Sequence, residues 1–258
     1  MAEARLTRPA ASSRSLDAGR ALQIATLIGL LAGWEAIGAS GLLYKGVVPS
    51  SLRILASLAE LLANPRFWFN LSVTGIEVAL ALAIGGGLGV LAGLLLGGIR
   101  FFGQAIEPYV NFLASMPKII LFPVFLVAFG IGPGSKIAIA AVACFFPMAL
   151  GTAAGTRHIN PVLIRVGKSF NLTLVQMIRM VYLPALIAPI MSGLRIALGV
   201  AIVVCLLAEI KFSNMGIGFM VINSYNQSRF ADVYAVLIVI FLITVGANAL
   251  VERLERAR

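Results

Sequence analysis

The sequence predicts an all-α, polytopic membrane protein with about six transmembrane helices. Of its 258 residues, 60% are hydrophobic and only 12% are charged, about half the charged fraction of a typical soluble domain. Several stretches carry no charge, and the longest, residues 78–99, would reach about 33 Å as a helix, which is enough to cross a bilayer. The apolar stretches lack the polar alternation of an outer-membrane barrel.

The predicted spans follow a polar tail at residues 1–20. The first span begins at residue 21, and Glu35 with the apolar residues around it favours a retained span over the alternative of a cleaved signal peptide. Residues 52–63 are amphipathic and too short to span, so they are predicted to lie at the membrane interface. The remaining spans are predicted at about residues 67–99, 104–129, 135–156, 184–210 and 231–251.

Glycine and proline mark two of these spans. Glycines cluster at residues 85–93 of the second span, where small residues allow close helix packing in a bilayer. The third span contains Pro117 and Pro123, each expected to kink or break a helix. A glycine-rich turn at residues 130–134 then separates the third span from the fourth.

The distribution of positive charge predicts the topology. The net charge of +10 could indicate a nucleic-acid partner, but membrane topology explains it better. With both termini inside, the inside segments hold 12 Lys and Arg residues and the outside segments hold 6. This twofold excess predicts that both termini and residues 157–184 lie in the cytoplasm, with no nucleic-acid partner.

Residues 157–184 form a polar, basic segment within the otherwise apolar chain. Asn160-Pro161 is a strong helix start, Asn171 is a plausible left-handed stop, and Thr173-x-x-Gln176 is a capping box. Pro184 then opens the next span, so the sequence predicts a helix–turn–helix on the membrane surface. Two readings remain open here, an interfacial loop held by lipid headgroups or a docking element for a soluble partner.

The same segment resembles the EAA segment of binding-protein-dependent ABC importer permeases. Its pattern is Glu-Ala-Ala, three residues, Gly, nine residues, Ile, one residue and Leu-Pro. Here the closing element is Val181-Tyr182-Leu183-Pro184, which places the glycine position at Asn171. The Glu-Ala-Ala position falls on residues 165–167, where basic Arg165 replaces the acidic residue.

The resemblance extends over roughly residues 67–255. Family-like motifs occur in the expected order at residues 129–132, 135–137, 145–147, 192–199, 208–209 and 216–218. The arrangement is most similar to the nitrate, sulfonate, taurine and bicarbonate branch, with a type I importer permease fold. It divides the chain into a cytoplasmic tail, 1–20, and a permease domain, 21–258, with residues 157–184 as its coupling segment.

The resemblance implies an importer of a small anion, with this chain as a multi-pass protein of the bacterial cytoplasmic membrane. Two permease copies would form the path, an ABC ATPase dimer would dock on the cytoplasmic side, and an external solute-binding protein would deliver substrate. ATP and Mg²⁺ would bind the ATPase, so this chain is expected to bind no cofactor and to catalyse no reaction. The residues expected to contact the ATPase are Pro161, Leu163, Arg165, Val166, Gly167, Lys168, Phe170, Asn171, Leu174, Gln176 and Ile178.

Ionisable residues inside the spans are the candidates for the substrate path, because such residues are costly in a bilayer. Lys118 follows Pro117 at the predicted break and is expected either to line the path or to snorkel or pair with a glutamate. Arg195 is a candidate for the path or for a salt bridge between helices or subunits. Glu209 could pair with Lys211 or contact the binding protein.

Other polar or reactive residues receive structural interpretations. Glu77 is expected to pair with another helix, Glu107 to cap a helix, and His158 to end one. Both cysteines lie in apolar runs and predict buried, unreactive thiols.

Two other classes of protein remain as alternatives. A stand-alone secondary transporter or channel would carry more ionisable residues in its spans and would not need the docking helix. A passive membrane scaffold fits poorly with the glycine-rich second span and the proline-broken third span.

Overall fold

The computed structural model describes residues 13–41 and 46–256, and the side chains from residue 19 onward. Every regular element in these two ranges is helical. In order they are α1 Ser13–Ala39, α2 Ser51–Ala63, α3 Pro65–Ala81, a π-helical turn Leu82–Gly86, α4 Gly87–Gly98, α5 Arg100–Ser115, a 3-10 turn Lys118–Leu121, α6 Phe122–Phe129, α7 Pro133–Arg157, α8 Pro161–Ser169, α9 Leu174–Met177, a second π-helical turn Ile178–Tyr182, α10 Leu183–Phe212, α11 Ile217–Asn226 and α12 Phe230–Arg256.

The helices confirm the prediction of about six spans. Five are long and apolar enough to cross a bilayer: Gly19–Ala39, Pro65–Gly98, Pro133–Arg157, Leu174–Phe212 and Phe230–Arg256. The pair formed by α5 and the segment Lys118–Phe129 brings the number to six if it is one broken span.

The two ends of the chain differ from the predicted boundaries. Helix α1 begins at Ser13, inside the segment predicted as a polar tail, and α12 continues past the predicted end of the sixth span, residue 251, as far as Arg256. An ion pair between Glu252 and Arg256, one helical turn apart, supports this extension. The positive charges predicted at Arg5, Arg8, Lys45 and Arg258 lie outside the described residues.

The predicted break in the third span is present, and of Pro117 and Pro123, the two prolines expected to cause it, only Pro117 does so. The chain leaves α5 at Met116 and Pro117, and the two halves are bent by 84°. Pro123 instead lies in the first turn of α6, where its missing N–H would have had no helical acceptor. The third span is therefore two short helices that meet at Lys118.

Helix α7 occupies the centre of the described structure, between the second and fifth spans. Gly85, Gly89, Gly93 and Gly97 recur every four residues along one face of the second span. A Cβ added at Gly85 would lie 2.0 Å from the Ala141 carbonyl oxygen, and the other three glycines approach α7 almost as closely. This contact confirms the close packing predicted from the glycine cluster.

The opposite side of α7 packs on α10. A Cβ at Gly155 would lie 2.5 Å from the Pro189 side chain, so small residues allow close approach here too. Cys144 and Cys205 are fully buried in this core as free thiols, as predicted.

Helix α1 is exposed along most of its length and contacts the rest of the molecule near Trp34. The Trp34 ring packs edge-on against Tyr234, and its Nε1 donates to the Pro49 carbonyl oxygen at 3.0 Å. Glu35 accepts from the Ser51 backbone N–H at 2.7 Å, so it caps α2, and Ser50 holds the N-cap position without a side-chain bond. Helix α2 packs mainly against α12 and buries Ile54.

Candidate coupling elbow and substrate path

Residues 157–184, hereafter the elbow, join α7 to α10 at one end of the molecule. Helix α7 ends at Arg157, and His158 forms its C-cap, with Nδ1 2.8 Å from the Ala154 carbonyl oxygen. Asn160 then caps α8 by accepting from the Val162 backbone N–H at 2.9 Å, and Pro161 occupies the first helical position. Both the helix end and the helix start agree with the sequence prediction.

The turn between α8 and α9 is a complete Schellman motif. The Leu172 N–H donates to the Gly167 carbonyl oxygen at 3.1 Å, and the Asn171 N–H donates to the Lys168 carbonyl oxygen at 2.9 Å. Asn171 has φ of 50°, in the left-handed region that asparagine tolerates better than most residues. The left-handed stop predicted at this position is confirmed.

The second half of the elbow differs from the prediction. The capping box is present: the Thr173 hydroxyl accepts from the Gln176 N–H, and the Gln176 side chain accepts from the Thr173 N–H. Helix α9 does not stop before Pro184, however, but continues through the π-helical turn into α10, so that Leu174–Phe212 is one helix. The wider π turn directly before Leu183 accommodates the proline that would otherwise break the helix.

The elbow exposes a row of apolar side chains. Phe170 and Leu174 are 76% and 77% exposed, and Val162, Leu163, Val166 and Ile178 are also exposed. We call these six residues the elbow face. Helix α8, which carries Val162, Leu163 and Val166 of the elbow face, also carries the exposed basic residues Arg165 and Lys168.

Gly167 is the buried residue among those expected to contact the ATPase. A Cβ at this position would lie 2.8 Å from the Met177 side chain, so the glycine lets α8 pack on α9. Gln176 is exposed, but its side chain is used by the capping box. The structure therefore separates the exposed elbow face from residues that shape the elbow.

Lys118 lies at the break in the third span and is half-buried. Its ammonium group donates to the Ala114 carbonyl oxygen and lies 4.9 Å from the centre of the Phe146 ring. No glutamate pairs with it within the described residues. The ammonium group of Lys118 therefore lies between the end of α5 and α7.

Arg195 was predicted either to line the path or to form a salt bridge, and it forms a salt bridge between helices. Its guanidinium donates to Glu255 of α12 at 2.7 Å, with both side chains partly exposed. Glu107 also differs from expectation, because it lies within α5 rather than at its start and pairs with Arg157 at the end of α7. The helix begins earlier, at Arg100, so Glu107 bridges two helices instead of capping one.

Glu209 is fully buried at the end of the molecule opposite the elbow. It accepts from the Thr74 hydroxyl and from the Gly218 N–H, both at 2.6 Å, and no ion pair joins it to the exposed Lys211 within the described part of the chain. Glu77 pairs with buried Lys136 at 3.2 Å, which confirms the predicted interhelix role of Glu77.

Three further buried polar residues of this region, Asn70, Thr74 and Lys136, were not predicted as site residues. Asn70 accepts from the Gly216 N–H at 2.7 Å, and Thr74 accepts from the Ile217 N–H at 2.9 Å. The available signal was the spacing of Asn70, Thr74 and Glu77, which places three polar residues on one face of an apolar helix.

Comparisons with known proteins agree with this architecture. A model of the family described as binding-protein-dependent transport system inner membrane component matches residues 85–258. The putative aliphatic sulfonates transport permease protein SsuC of Bacillus subtilis is 29% identical over 227 residues, which cover 88% of this chain and 82% of that protein. The taurine transport system permease protein TauC of Escherichia coli is 28% identical over 242 residues, covering 90% and 88%.

Another relative and a solved structure extend the comparison. The bicarbonate transport system permease protein CmpB of Synechococcus elongatus is 29% identical over 240 residues, covering 88% of this chain and 84% of that protein. The inward-facing MetNI methionine ABC transporter matches with a TM-score of 0.61 at 22% identity, covering 78% of this chain and 97% of that chain. At this identity, the structural match establishes the fold alone.

These features define a multi-pass transport permease with the fold of a type I ABC importer subunit. The chain belongs to the family of binding-protein-dependent transport system inner membrane components, in the branch whose members are named for sulfonate, taurine, nitrate and bicarbonate. Membership implies an importer that works with an ATPase and a binding protein.

Proposed function

We propose that two copies of this chain form the substrate path of an ATP-driven importer for a small anion. The elbow face binds a cytoplasmic ABC ATPase, and an external solute-binding protein delivers the anion at the opposite end. The anion class is supported by the names of the relatives, which are sulfonate, taurine, nitrate and bicarbonate permeases. The cationic Lys118 at the break in the third span suits such a substrate.

The observation that carries this proposal is the exposed elbow face. The six apolar side chains of the elbow face stand exposed beside the basic Arg165 and Lys168, and the segment resembles the EAA pattern. Apolar side chains grouped this way are typical of an interaction surface. A Schellman turn and a capping box fix the backbone beneath them, so a partner would meet a preformed surface.

ATP hydrolysis is assigned to the partner. The chain contains Gly167-Lys168-Ser169, but Val162 occupies the position where a phosphate-binding loop needs its first glycine. This stretch is moreover helical, as part of α8, and so does not form a loop around phosphate. We therefore propose that ATP and Mg²⁺ bind the ATPase and that this chain binds no cofactor.

The orientation is part of the same proposal. Arg157, Arg165, Lys168 and Arg179 all lie on the elbow, and positively charged segments are retained in the cytoplasm. We therefore place the elbow and both termini inside and the turn before α11 outside.

Disruption of the elbow face tests the docking assignment. The tagged chain is co-expressed with its cognate ABC ATPase, and the amount of ATPase that co-purifies is measured for Leu174→Asp combined with Ile178→Asp. We expect retention to fall at least tenfold, because desolvating two carboxylates at an apolar interface costs several kcal/mol. The membrane-inserted amount of the chain should stay unchanged.

The control is Gln227→Asp, which adds a negative charge at an exposed position after α11, at the end opposite the elbow. It should leave co-purification at the wild-type level. Full retention of ATPase by the double variant would show that the elbow face is not the docking surface. Full-speed uptake by vesicles holding only this chain, without nucleotide, would contradict the whole proposal.

A further inference from the structure

Three spans and the start of α11 meet at a buried polar cluster that the transport proposal does not use. Glu77 of α3, Lys136 of α7 and Glu209 of α10 are each no more than 1% exposed. Lys136 Nζ lies 3.2 Å from Glu77 Oε1, which satisfies that one oxygen. The neighbouring thiols, Cys144 and Cys205, are buried.

The two carboxyl groups differ in their remaining contacts. Glu209 accepts from the Thr74 hydroxyl through Oε1 and from the Gly218 N–H through Oε2, both at 2.6 Å. Glu77 Oε2 is buried and has no N–H or O–H donor within the described residues. Thr74, whose hydroxyl contacts Glu209, lies one helical turn before Glu77 on α3, so the two buried carboxyl groups belong to the same cluster.

The charges of this cluster do not balance if every group is ionised. Two carboxylates then face a single ammonium group, which leaves one net negative charge buried among apolar helices. A buried uncompensated charge costs several kcal/mol. Two ionised carboxylates also cannot bond to each other, because each oxygen only accepts, whereas a protonated carboxyl group can donate.

We propose that the cluster is a proton-binding site. Glu209 is protonated, and its O–H group donates a hydrogen bond to Glu77 Oε2. The shared proton gives the unpartnered oxygen its donor, leaves Glu77 ionised for Lys136 and makes the cluster neutral. This inference rests on the packing of the chain alone and does not depend on the transport proposal.

The protonated cluster positions the connection between the fifth and sixth spans. Glu209 binds the Gly218 N–H, while Thr74 and Asn70 of α3 bind the N–H groups of Ile217 and Gly216. The start of α11 is thereby tied to both α3 and α10. A Cβ at Gly216 would lie 2.1 Å from Glu209 Oε1, so the backbone fits closely around the carboxyl group. Glu77 and Glu209 are therefore positioning residues for α11.

Infrared spectroscopy tests the proton directly. The purified chain at neutral pH, labelled with ¹³C-glutamate, should show the C=O stretch of a protonated carboxylic acid, shifted in D₂O. Only 10 acidic residues are present in the sequence, which keeps overlap small. Glu209→Gln should abolish the band and should lower the melting temperature less than Glu209→Ala does. The amide can still donate to Glu77 Oε2, although its NH₂ group cannot accept the hydrogen bond that the second carboxyl oxygen accepted. The control Glu60→Gln, at an exposed position of α2, should leave the band unchanged.

A charge-balance series gives a second, independent readout. Lys136→Met leaves Glu77 without its cation and should lower the melting temperature or the folded yield. Adding Glu77→Gln to that variant restores neutrality with Glu209 still protonated, and should recover most of the loss. A wild-type spectrum without the acid band, or a double variant no better than Lys136→Met, would overturn the proposal. Stability that requires Na⁺ would overturn it too, since a metal cation would then occupy the place of the proton.

Discussion

Lys118 is the ionisable side chain that best suits a role in the substrate path. Its ammonium group has a backbone carbonyl and an aromatic ring as neighbours, and no carboxylate pairs with it within the described residues. Its positive charge is therefore not cancelled by an ion pair, unlike those of Lys136, Arg157 and Arg195. A cation left uncompensated at a break in a span is suited to bind an anion transiently.

Substitution of Lys118 tests this role. Lys118→Ala should lower uptake of the transported anion about tenfold or more, since a hydrogen bond to a charged group contributes about 1.5–3 kcal/mol. ATPase co-purification should be unchanged. Uptake is measured in proteoliposomes with the binding protein, using labelled taurine, an alkanesulfonate, nitrate and bicarbonate. Lys118→Arg, which keeps the charge, should retain more uptake, and equal uptake by all three proteins would remove Lys118 from the path.

Sequence reasoning predicted single residues well where the signal is local. The left-handed conformation of Asn171 and the capping box at Thr173 follow from a few neighbouring residues, and both are present. The surroundings of Glu209 could not be predicted in this way. Its partner Thr74 lies 135 residues away in the sequence, so only the folded chain shows that the carboxyl group is enclosed.

At the scale of elements, the glycine face of the second span makes a close backbone contact with α7. The predicted small-residue packing is confirmed, but the sequence alone does not show which glycines face a neighbour. Gly85 abuts the backbone of α7, whereas Gly87, two residues later, has no atom within 4 Å of an added Cβ. Substitution of Gly87 can therefore serve as the control for substitution of Gly85.

Gly85→Ala should destabilise the chain by about 1–3 kcal/mol, because the new methyl group would meet the rigid backbone of Ala141. Gly87→Ala should be neutral or stabilising by up to about 1 kcal/mol, because alanine favours the helix more than glycine does. Thermal unfolding in detergent measures both. Equal melting temperatures for the two variants would contradict the packing of the second span on α7.

The prolines show why element boundaries were harder to predict. Pro117 breaks a span, Pro123 begins a helix, and Pro184 lies within a continuous helix after a π-helical turn. A proline fixes its own backbone and removes one donor, but neighbouring residues decide whether the helix stops or widens. The elbow was therefore predicted as two surface helices, and its second helix proved to be the start of α10.

At the scale of the whole molecule, the number of spans and the all-helical class followed from composition and charge-free length. These properties are summed over many residues, so errors at single positions matter little. Orientation depends on the same kind of sum, the excess of positive charge at the elbow end. It remains a prediction about the cell rather than about the fold.

Site-specific labelling tests the orientation. Ser169→Cys in the elbow and Gln227→Cys after α11 introduce exposed thiols at opposite ends, while native Cys144 and Cys205 are buried and give little background. A membrane-impermeant maleimide added to intact spheroplasts should label Gln227→Cys and spare Ser169→Cys. After permeabilisation, both should react. Labelling of Ser169→Cys in intact spheroplasts would place the elbow outside.

The unbroken helix Leu174–Phe212 has a mechanical consequence. At about 1.5 Å per residue, its 39 residues form a rod nearly 60 Å long that carries Leu174 at one end and Glu209 near the other. A displacement of the elbow face is passed along this helix to the turn before α11, unless the helix bends at the π turn Ile178–Tyr182. Bending at that turn would then determine how much of a partner's movement reaches the opposite side of the bilayer.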